Sequence, residues 1–324
     1  MVPPIVWIIL GLAALIVGAE LVVRYGARLA RRLGVPPIIV GLTIVSIGTS
    51  APELAVGIDA FRNDAGSLAI GNIAGTNIVN LLLILGFSAI LRPIFIGTQT
   101  LRLDLPAIAA ASVLLFVLTL DGSLSIVDGV ILVVVALGYT GLLIWMTKRE
   151  SARVLAEFAH EYPPQRHHGP WWEPVLQLVL LVVGLVIIVF GADWLVSGAV
   201  DLAEAAGVSD ALIGLTIVAI GTSAPELATT IISTIRGDRD IAVGNLIGSS
   251  IYNLTFILGI SLFFAPGAIE VDPMLIAVDL PIMVLVALAC IPVFLTGKRM
   301  SRREGWAFVI AYVAYLAYLI IART

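Results

Sequence analysis

Long apolar stretches without charged residues recur along this chain and alternate with short polar segments. Most of these runs reach the ~20 residues that a helix needs to cross ~30 Å of hydrocarbon once their flanks are included. Because they show no alternation of apolar and polar residues at a period of two, they favour helices over a transmembrane barrel. The pattern predicts ten membrane-spanning helices, around residues 5–19, 33–52, 65–91, 105–120, 129–147, 174–192, 211–225, 241–269, 280–297 and 307–322.

Composition supports a membrane protein and narrows the function. Of the 324 residues, 60% are hydrophobic and 12% are charged, which is far from the balance of a soluble domain. The one cysteine, Cys290, excludes an internal disulfide and a multi-cysteine zinc site. The net charge of −4 is modest and indicates no nucleic-acid partner. The expected partner is the lipid bilayer.

The basic residues predict how the helices are oriented. With the N-terminus outside, the inside connections hold 16 of the 18 Lys and Arg residues, and only Arg62 and Arg323 lie outside. Lys and Arg are enriched on cytoplasmic loops. We therefore expect both termini outside, the 147–173 loop in the cytoplasm, and a multi-pass protein of the plasma (inner) membrane.

The two halves of the chain repeat each other at an offset of 173 residues. GLTIVSIGTSAPELA (41–55) matches GLTIVAIGTSAPELA (214–228), and AIGNIAGTNIVNLLLILG (69–86) matches AVGNLIGSSIYNLTFILG (242–259). Each half holds five predicted helices, and because five is odd the halves must have opposite orientations, as in secondary transporters. We predict an all-α membrane protein with ten transmembrane helices in two inverted five-helix repeats, 1–146 and 174–324, joined by the cytoplasmic loop 147–173.

Each repeat places a glutamate inside GTSAPE. Pro52 and Pro225 lack the amide hydrogen that would bond the carbonyl four residues earlier, so each helix should break there. A carbonyl freed at membrane depth needs another partner. Oxygen-bearing side chains follow at helical spacing on these helices and on helices 3 and 8: Ser46, Thr49, Ser50 and Glu53; Thr222, Ser223 and Glu226; Asn72, Thr76 and Asn80; Asn245, Ser249 and Asn253.

An oxygen-only site with two carboxylates suits hard cations such as Na⁺ or Ca²⁺ and disfavours zinc or copper. Two glutamates neutralise one divalent ion or two monovalent ions. If both ions compete for the same oxygens, neither is carried while the other is bound. Because one divalent ion and two monovalent ions carry the same charge and compete for one site, the pattern indicates the exchange of one kind of ion for the other.

Several polar positions have a structural interpretation as well. Small polar residues commonly hold membrane helices together, and Asn72 and Asn245 could either line the site or brace the helix break. Asp104 and Asp279, each before Leu-Pro, are predicted to cap helix N-termini.

The remaining acids do not indicate a further ligand. Glu20 and Asp193 are predicted to lie near helix ends as anchors. An intramembrane enzyme could use two carboxylates as acid and base. However, no HExxH, GxSxG or other catalytic motif accompanies them. We expect no enzymatic activity and no cofactor.

With the two GTSAPE stretches and the two GN-x-x-G-[TS]-x-I-x-N stretches, the sequence resembles the sodium/calcium exchangers of the cation/calcium antiporter superfamily, in their compact prokaryotic form. The resemblance spans nearly the whole chain. It implies a ten-helix fold in which helices 2, 3, 7 and 8 form the site and helices 1 and 6 slide across them, and it implies a functional monomer. The ion ligands that it implies are Glu53, Glu226, Thr49, Ser50, Thr76, Asn80, Thr222, Ser223, Ser249 and Asn253, with the backbone carbonyls of Ser46 and Ala219.

The expected activity is secondary active antiport, with sodium entering and calcium leaving. Proton-coupled antiport of calcium or another divalent cation is the alternative. Asn253 departs from the family pattern, because some members, including the potassium-dependent ones, carry an aspartate there. This departure argues against potassium coupling and leaves the sodium stoichiometry open.

Overall fold

The chain folds into long helices that pack side by side, joined by short connections. The computed structural model describes residues 3–33, 35, 37–63, 65–161, 172–205 and 219–323. Within these residues, eight helices are long and apolar enough to span a membrane, or nine if the bent pair Pro37–Thr49 and Ala51–Arg62 counts as one. The apolar run at 211–225, the seventh predicted span, begins outside the described residues. The structure therefore does not test this span.

The described helices follow the order of the apolar runs. They are α1 (Pro4–Leu33), α2 (Pro37–Thr49), α3 (Ala51–Arg62), α4 (Gly66–Leu91), α5 (Thr100–Leu118), α6 (Ile126–Glu161), α7 (Glu173–Ala205), α8 (Ala219–Thr222), α9 (Ala224–Arg236), α10 (Arg239–Tyr252, continued through 253–262), α11 (Leu275–Leu295) and α12 (Arg302–Arg323). Because α6 runs to Glu161, the first part of the predicted 147–173 loop is helical.

Two of these helices form the centre of the bundle. The buried share of the most apolar stretch is 78% in α4 and 94% in α10. In α1 and α12 the same share is only 28% and 17%. The centre is therefore built from the two segments that carry the predicted asparagine stripes.

The helix that carries the first GTSAPE motif is broken, as predicted. Between α2 and α3 the axis bends by 42° at Ser50, and Pro52 lies in the first turn of α3. In the second motif α8 and α9 are separated at Ser223, with Pro225 in the first turn of α9. The missing proline amide accounts for both breaks.

Short π-helical turns interrupt the central helices. They occur at Gly41–Val45 in α2, Val79–Ile84 in α4 and Asn253–Ile257 in α10. Such turns leave backbone groups outside the regular ladder and are frequent at functional sites. Here they place Asn80 and Asn253 at corresponding points of the two central helices.

Glycines bring α1 and α7 into backbone contact. A β-carbon on Gly18 would lie 2.7 Å from the carbonyl oxygen of Gly184, and one on Gly11 would lie 2.7 Å from that of Gly191. Small residues allow membrane helices to approach this closely. An ion pair between Arg32 and Glu173 joins the same two helices.

Two short antiparallel ladders join the connections between helices. Strand β1 (Ile94–Phe95) pairs with β4 (Arg299–Met300), and β2 (Ser123–Leu124) pairs with β3 (Ile269–Glu270). Strands β1 and β2 lie at opposite ends of α5, whose 19 residues span about 28 Å at 1.5 Å per residue. The ladders therefore tie the bundle together at both of its ends.

Three acids have structural roles that differ from the predicted ones. Asp104 and Asp279 make no capping hydrogen bond, because the helix continues before each of them as a π-helical turn. Instead Tyr139 donates to Asp104 at 3.0 Å and Tyr315 donates to Asp279 at 2.8 Å. Glu20 lies well inside α1, not near its end, and pairs with Arg236 at the end of α9.

Candidate cation site

Both repeated glutamates lie at the start of a half-helix and are completely buried. Glu53 is in the first turn of α3 and Glu226 in the first turn of α9, each directly after a proline, and both are 0% exposed. Helix N-termini carry partial positive charge that favours anions. The broken helices thus hold two carboxylates inside the protein.

The two halves of the chain meet at Glu226. The Ser50 hydroxyl donates a hydrogen bond to Glu226 Oε1 at 3.3 Å, and Thr49 and Ser249 also lie against this carboxylate. Glu53 is close enough for the two acids to repel each other. The donors predicted from separate repeats therefore belong to one cluster.

Many of the buried oxygens on these helices, the predicted ligands among them, make no hydrogen bond within the described part of the chain. A buried polar group left unpaired costs about 1–3 kcal/mol, and a charged one costs more. Bound cations would satisfy oxygens of this kind. The oxygens without a hydrogen bond include both carboxylate oxygens of Glu53, Glu226 Oε2, the side-chain amide oxygens of Asn80 and Asn253, and the hydroxyls of Thr76 and Ser223.

Asn72 and Asn245 hold the helix breaks in place. Thr49 donates to Asn245 Oδ1 at 3.1 Å, and Thr222 donates to Asn72 Oδ1 at 3.5 Å. These contacts favour the bracing role for both asparagines over direct ligation. Spacing along the sequence left this question open.

Ser46 connects α2 to the backbone of α10. Its hydroxyl lies 2.6 Å from the carbonyl oxygen of Gly41 and 3.0 Å from that of Asn245. Its own carbonyl oxygen lies 3.3 Å from the Thr49 hydroxyl and 3.4 Å from the Ser249 hydroxyl, so this oxygen lies beside the cluster. The counterpart Ala219 lies in α8, three residues before Thr222.

The structure also reveals buried polar residues that the sequence analysis did not single out. Thr229, Thr230, Ser233 and Thr234 on α9 are all buried. The signal was present in the run TTIIST (229–234), where four hydroxyls occur within six residues of a membrane helix.

The chemistry of the cluster is that of a hard-cation site. Across the described ranges, no group of three or more His, Cys, Asp or Glu could hold a metal ion. A cation here would be bound by two carboxylates and neutral oxygens, which suits Na⁺ or Ca²⁺ better than transition metals. Donors of this kind, buried among membrane-spanning helices with broken segments, are those of a cation transporter.

Comparison with known proteins identifies the family. The family model described as sodium/calcium exchanger protein matches residues 3–145 and again residues 176–321. The chain therefore belongs to the sodium/calcium exchanger family, as the sequence resemblance predicted, and is a membrane antiporter of that family.

Similarity extends over whole chains. The inner membrane protein YrbG of Escherichia coli (strain K12) is 35% identical over 320 residues, which cover 96% of this chain and 95% of the relative. The sodium/calcium exchanger MaX1 of Methanosarcina acetivorans is 31% identical over 347 residues, covering 96% and 97%. A solved structure of the sodium-calcium exchanger NCX_Mj, soaked with Na⁺ and zero Ca²⁺, superposes with a TM-score of 0.82 at 30% identity and covers 98% of each chain.

Proposed function

We propose that this protein exchanges sodium for calcium across the membrane by alternating access. The observation that carries the proposal is the set of buried oxygens from both repeats that make no hydrogen bond among the described residues, with Glu53 and Glu226 as its two charges. Both ions compete for these oxygens. The names of MaX1 and NCX_Mj support sodium and calcium as the transported pair.

The ligands of this site come from the two broken segments, α2 with α3 and α8 with α9, and from the central helices α4 and α10. Glu53 and Glu226 supply the charge, and neutral oxygens complete the coordination shell. Two carboxylates balance one Ca²⁺ or two Na⁺. Without a bound ion the site keeps two negative charges, and exposing these charges to the apolar barrier during the change of access is unfavourable. The proposed neutral ligands are Thr49, Ser50, Thr76, Asn80, Thr222, Ser223, Ser249 and Asn253, with the carbonyls of Ser46 and Ala219.

The proposed architecture is ten spans in two inverted repeats, 1–146 and 174–324. Equivalent contacts in both halves support it. Strands β1 and β4 pair at one end of the bundle, and their repeat equivalents β3 and β2 pair at the other. The bond from Tyr139 to Asp104 is matched by that from Tyr315 to Asp279. The family model also matches each half separately.

The proposed orientation follows the basic residues. Both termini lie outside, the 147–173 segment lies in the cytoplasm, and the membrane is the plasma (inner) membrane. In this orientation Arg32 and Arg236, which bind Glu173 and Glu20, lie toward the cytoplasmic side. The protein works as a monomer, without enzymatic activity and without a cofactor.

The proposed movement is a shift of α1 and α7 as one unit. Their glycine contacts and the ion pair between Arg32 and Glu173 hold them to each other. The pair between Glu20 on α1 and Arg236 on α9 crosses from this unit to the bundle. That contact must change when the unit slides.

The experiment that tests the proposed function is radioactive calcium uptake into proteoliposomes that contain the purified protein. One set of vesicles is loaded with sodium, a second has equal sodium on both sides, and a third carries only a pH gradient. Uptake driven by the sodium gradient is the expected result.

The other outcomes separate the alternatives. Uptake with the pH gradient alone would establish the proton-coupled antiporter and overturn the sodium coupling. No uptake in any set, with strontium and manganese also tested, would overturn calcium and other divalent cations as the cargo.

A further inference from the structure

The α9 helix carries a row of buried hydroxyls beyond Glu226. The hydroxyl face comprises Thr229, Thr230, Ser233 and Thr234, and none of these side chains is more than 3% exposed. At about 100° per residue, all four project within about 80° of the direction of Glu226. The face therefore runs from the carboxylate toward Arg236, about 15 Å further along the helix.

Two of these hydroxyls make no hydrogen bond to the part of the protein that the structure describes. Ser233 bonds the backbone, donating to the carbonyl of Thr229 at 2.7 Å. The hydroxyls of Thr229 and Thr234 are buried, and no group in the described ranges hydrogen-bonds them. A hydroxyl that serves only as interhelical glue would be hydrogen-bonded. These two therefore retain free capacity to bind a ligand.

The hydroxyl face is linked to the central cluster through Asn245. The side-chain amide of Asn245 donates to Thr230 Oγ1 at 3.5 Å, and its oxygen accepts from Thr49 at 3.1 Å. Thr49 in turn lies against Glu226. Polar contacts thus continue from the central site onto the hydroxyl face.

The other repeat lacks this feature. The positions 173 residues earlier hold Val56, Gly57, Ala60 and Phe61, none of which has a hydroxyl. Phe61 is fully buried in the hydrophobic core. Since α3 packs in the protein with apolar residues, hydroxyls are not required to pack a helix that follows GTSAPE.

We propose that the hydroxyl face is a second, weak cation-binding site, between the central site and the cytoplasmic end of α9. The inference rests on the proposed sodium/calcium exchange and on its orientation. The ligand is sodium, because the four hydroxyls of this face are neutral oxygens, and the affinity of protein sites for Ca²⁺ depends on the charge of their ligands. Only ions that enter or leave on the cytoplasmic side meet this site, because Val56 and Phe61 occupy the equivalent positions near the outer side.

The test uses Thr229→Val and Thr234→Val, which remove the hydroxyls and keep the side-chain shape. Inside-out and right-side-out membrane vesicles are loaded with radioactive calcium, and its release is measured against the concentration of external sodium. Each threonine contributes on the scale of one hydrogen bond. We therefore expect the half-saturating sodium concentration to rise about three- to tenfold in inside-out vesicles and to stay unchanged in right-side-out vesicles.

Matched variants keep the result interpretable. Thr119→Val makes the same change at a buried threonine whose hydroxyl bonds the backbone carbonyl of Phe116, and it should behave as the wild type. Thr229→Ser keeps the hydroxyl and should restore the wild-type sodium dependence. An unchanged sodium dependence in inside-out vesicles, or equal shifts in both vesicle types, would overturn the second site.

The response of the wild-type protein distinguishes the loss of the second site from the loss of exchange itself. If the wild-type protein releases no calcium in response to sodium, the exchange itself is contradicted. If the wild type responds and both valine variants respond identically to it, only the second site is lost.

Discussion

The Thr49 hydroxyl lies 3.1 Å from Asn245 Oδ1, so a hydrogen bond joins the broken helix of one repeat to the central helix of the other. The equivalent bond from Thr222 to Asn72 is 3.5 Å long and only partly buried. The first bond should therefore stabilise the protein more than the second.

A pair of double-mutant cycles measures this difference. For Thr49→Val with Asn245→Leu we expect a coupling of about 0.5–1.5 kcal/mol in the free energy of unfolding in detergent. The cycle for Thr222→Val with Asn72→Leu should give a smaller coupling. Equal couplings would contradict the unequal bracing of the two halves.

Glu53→Gln and Glu226→Gln each remove one of the two buried charges. A bound cation that loses one of its buried carboxylate partners is destabilised by about 2–5 kcal/mol, so calcium exchange in proteoliposomes should fall at least about 30-fold in either variant. Glu204→Gln is the control, since this glutamate is exposed on α7, and it should exchange normally. Normal exchange in both buried-site variants would remove the two glutamates from the site.

Asn253→Asp adds a third carboxylate to the cluster. Both polar atoms of Asn253 are buried without a hydrogen bond among the described residues, so the new group would face the ions directly. We expect the variant to change the sodium dependence of calcium exchange or to make the exchange depend on pH. Identical kinetics from pH 6 to pH 8, across a range of sodium concentrations, would count against placing Asn253 at the site.

Gly18→Ala should loosen the contact between α1 and α7. The new methyl group would lie 2.7 Å from the Gly184 carbonyl oxygen, and such overpacking costs about 1–3 kcal/mol. The apparent melting temperature in detergent should fall. Gly138→Ala on α6 is the matched control, because its methyl group meets no described atom within 4 Å, and it should leave the melting temperature unchanged or raise it.

Asp238, in the connection between α9 and α10, should make stability depend on pH. Burial raises the pKa of its carboxyl above the ordinary value of 3.8, although Arg31 and Arg236 oppose the shift. The folded protein then holds this proton more tightly than the unfolded chain does. Ionisation of the carboxyl therefore lowers the stability of the folded protein as the pH rises above about 3.8. Asp238→Asn removes the penalty and keeps a good N-cap residue.

The measurement for Asp238 is the melting temperature of the wild type and the Asn variant across the acid range. The advantage of Asp238→Asn should grow as the pH rises from 4 toward neutrality. If the difference in melting temperature between the variant and the wild type shrinks over the same range, the arginines and not burial determine the pKa of this carboxyl.

Sequence periodicity predicted the helices, the break at Pro52 and the set of candidate oxygens, because these depend on local spacing and on a missing amide. It did not predict which polar residues face each other. Asn245 braces Thr49, and Asp104 accepts from Tyr139 35 residues further along the chain. Such partners are chosen by packing between distant segments, which no local pattern contains. The predicted positions of Glu20 and Asp193 near helix ends were also wrong, because α1 and α7 extend well beyond their apolar runs.

The two strand ladders determine which parts of this protein can move. Each ladder joins a connection in the first half to one in the second, at opposite ends of α5. Axial displacement of α5, α11 or α12 would break ladder hydrogen bonds, whereas α1 and α7 are attached to neither ladder. The ladders thus fix α5, α11 and α12 relative to one another along their axes and leave α1 and α7 able to slide. A disulfide across either ladder should leave exchange intact, whereas one between α1 and a helix joined by the ladders should arrest it.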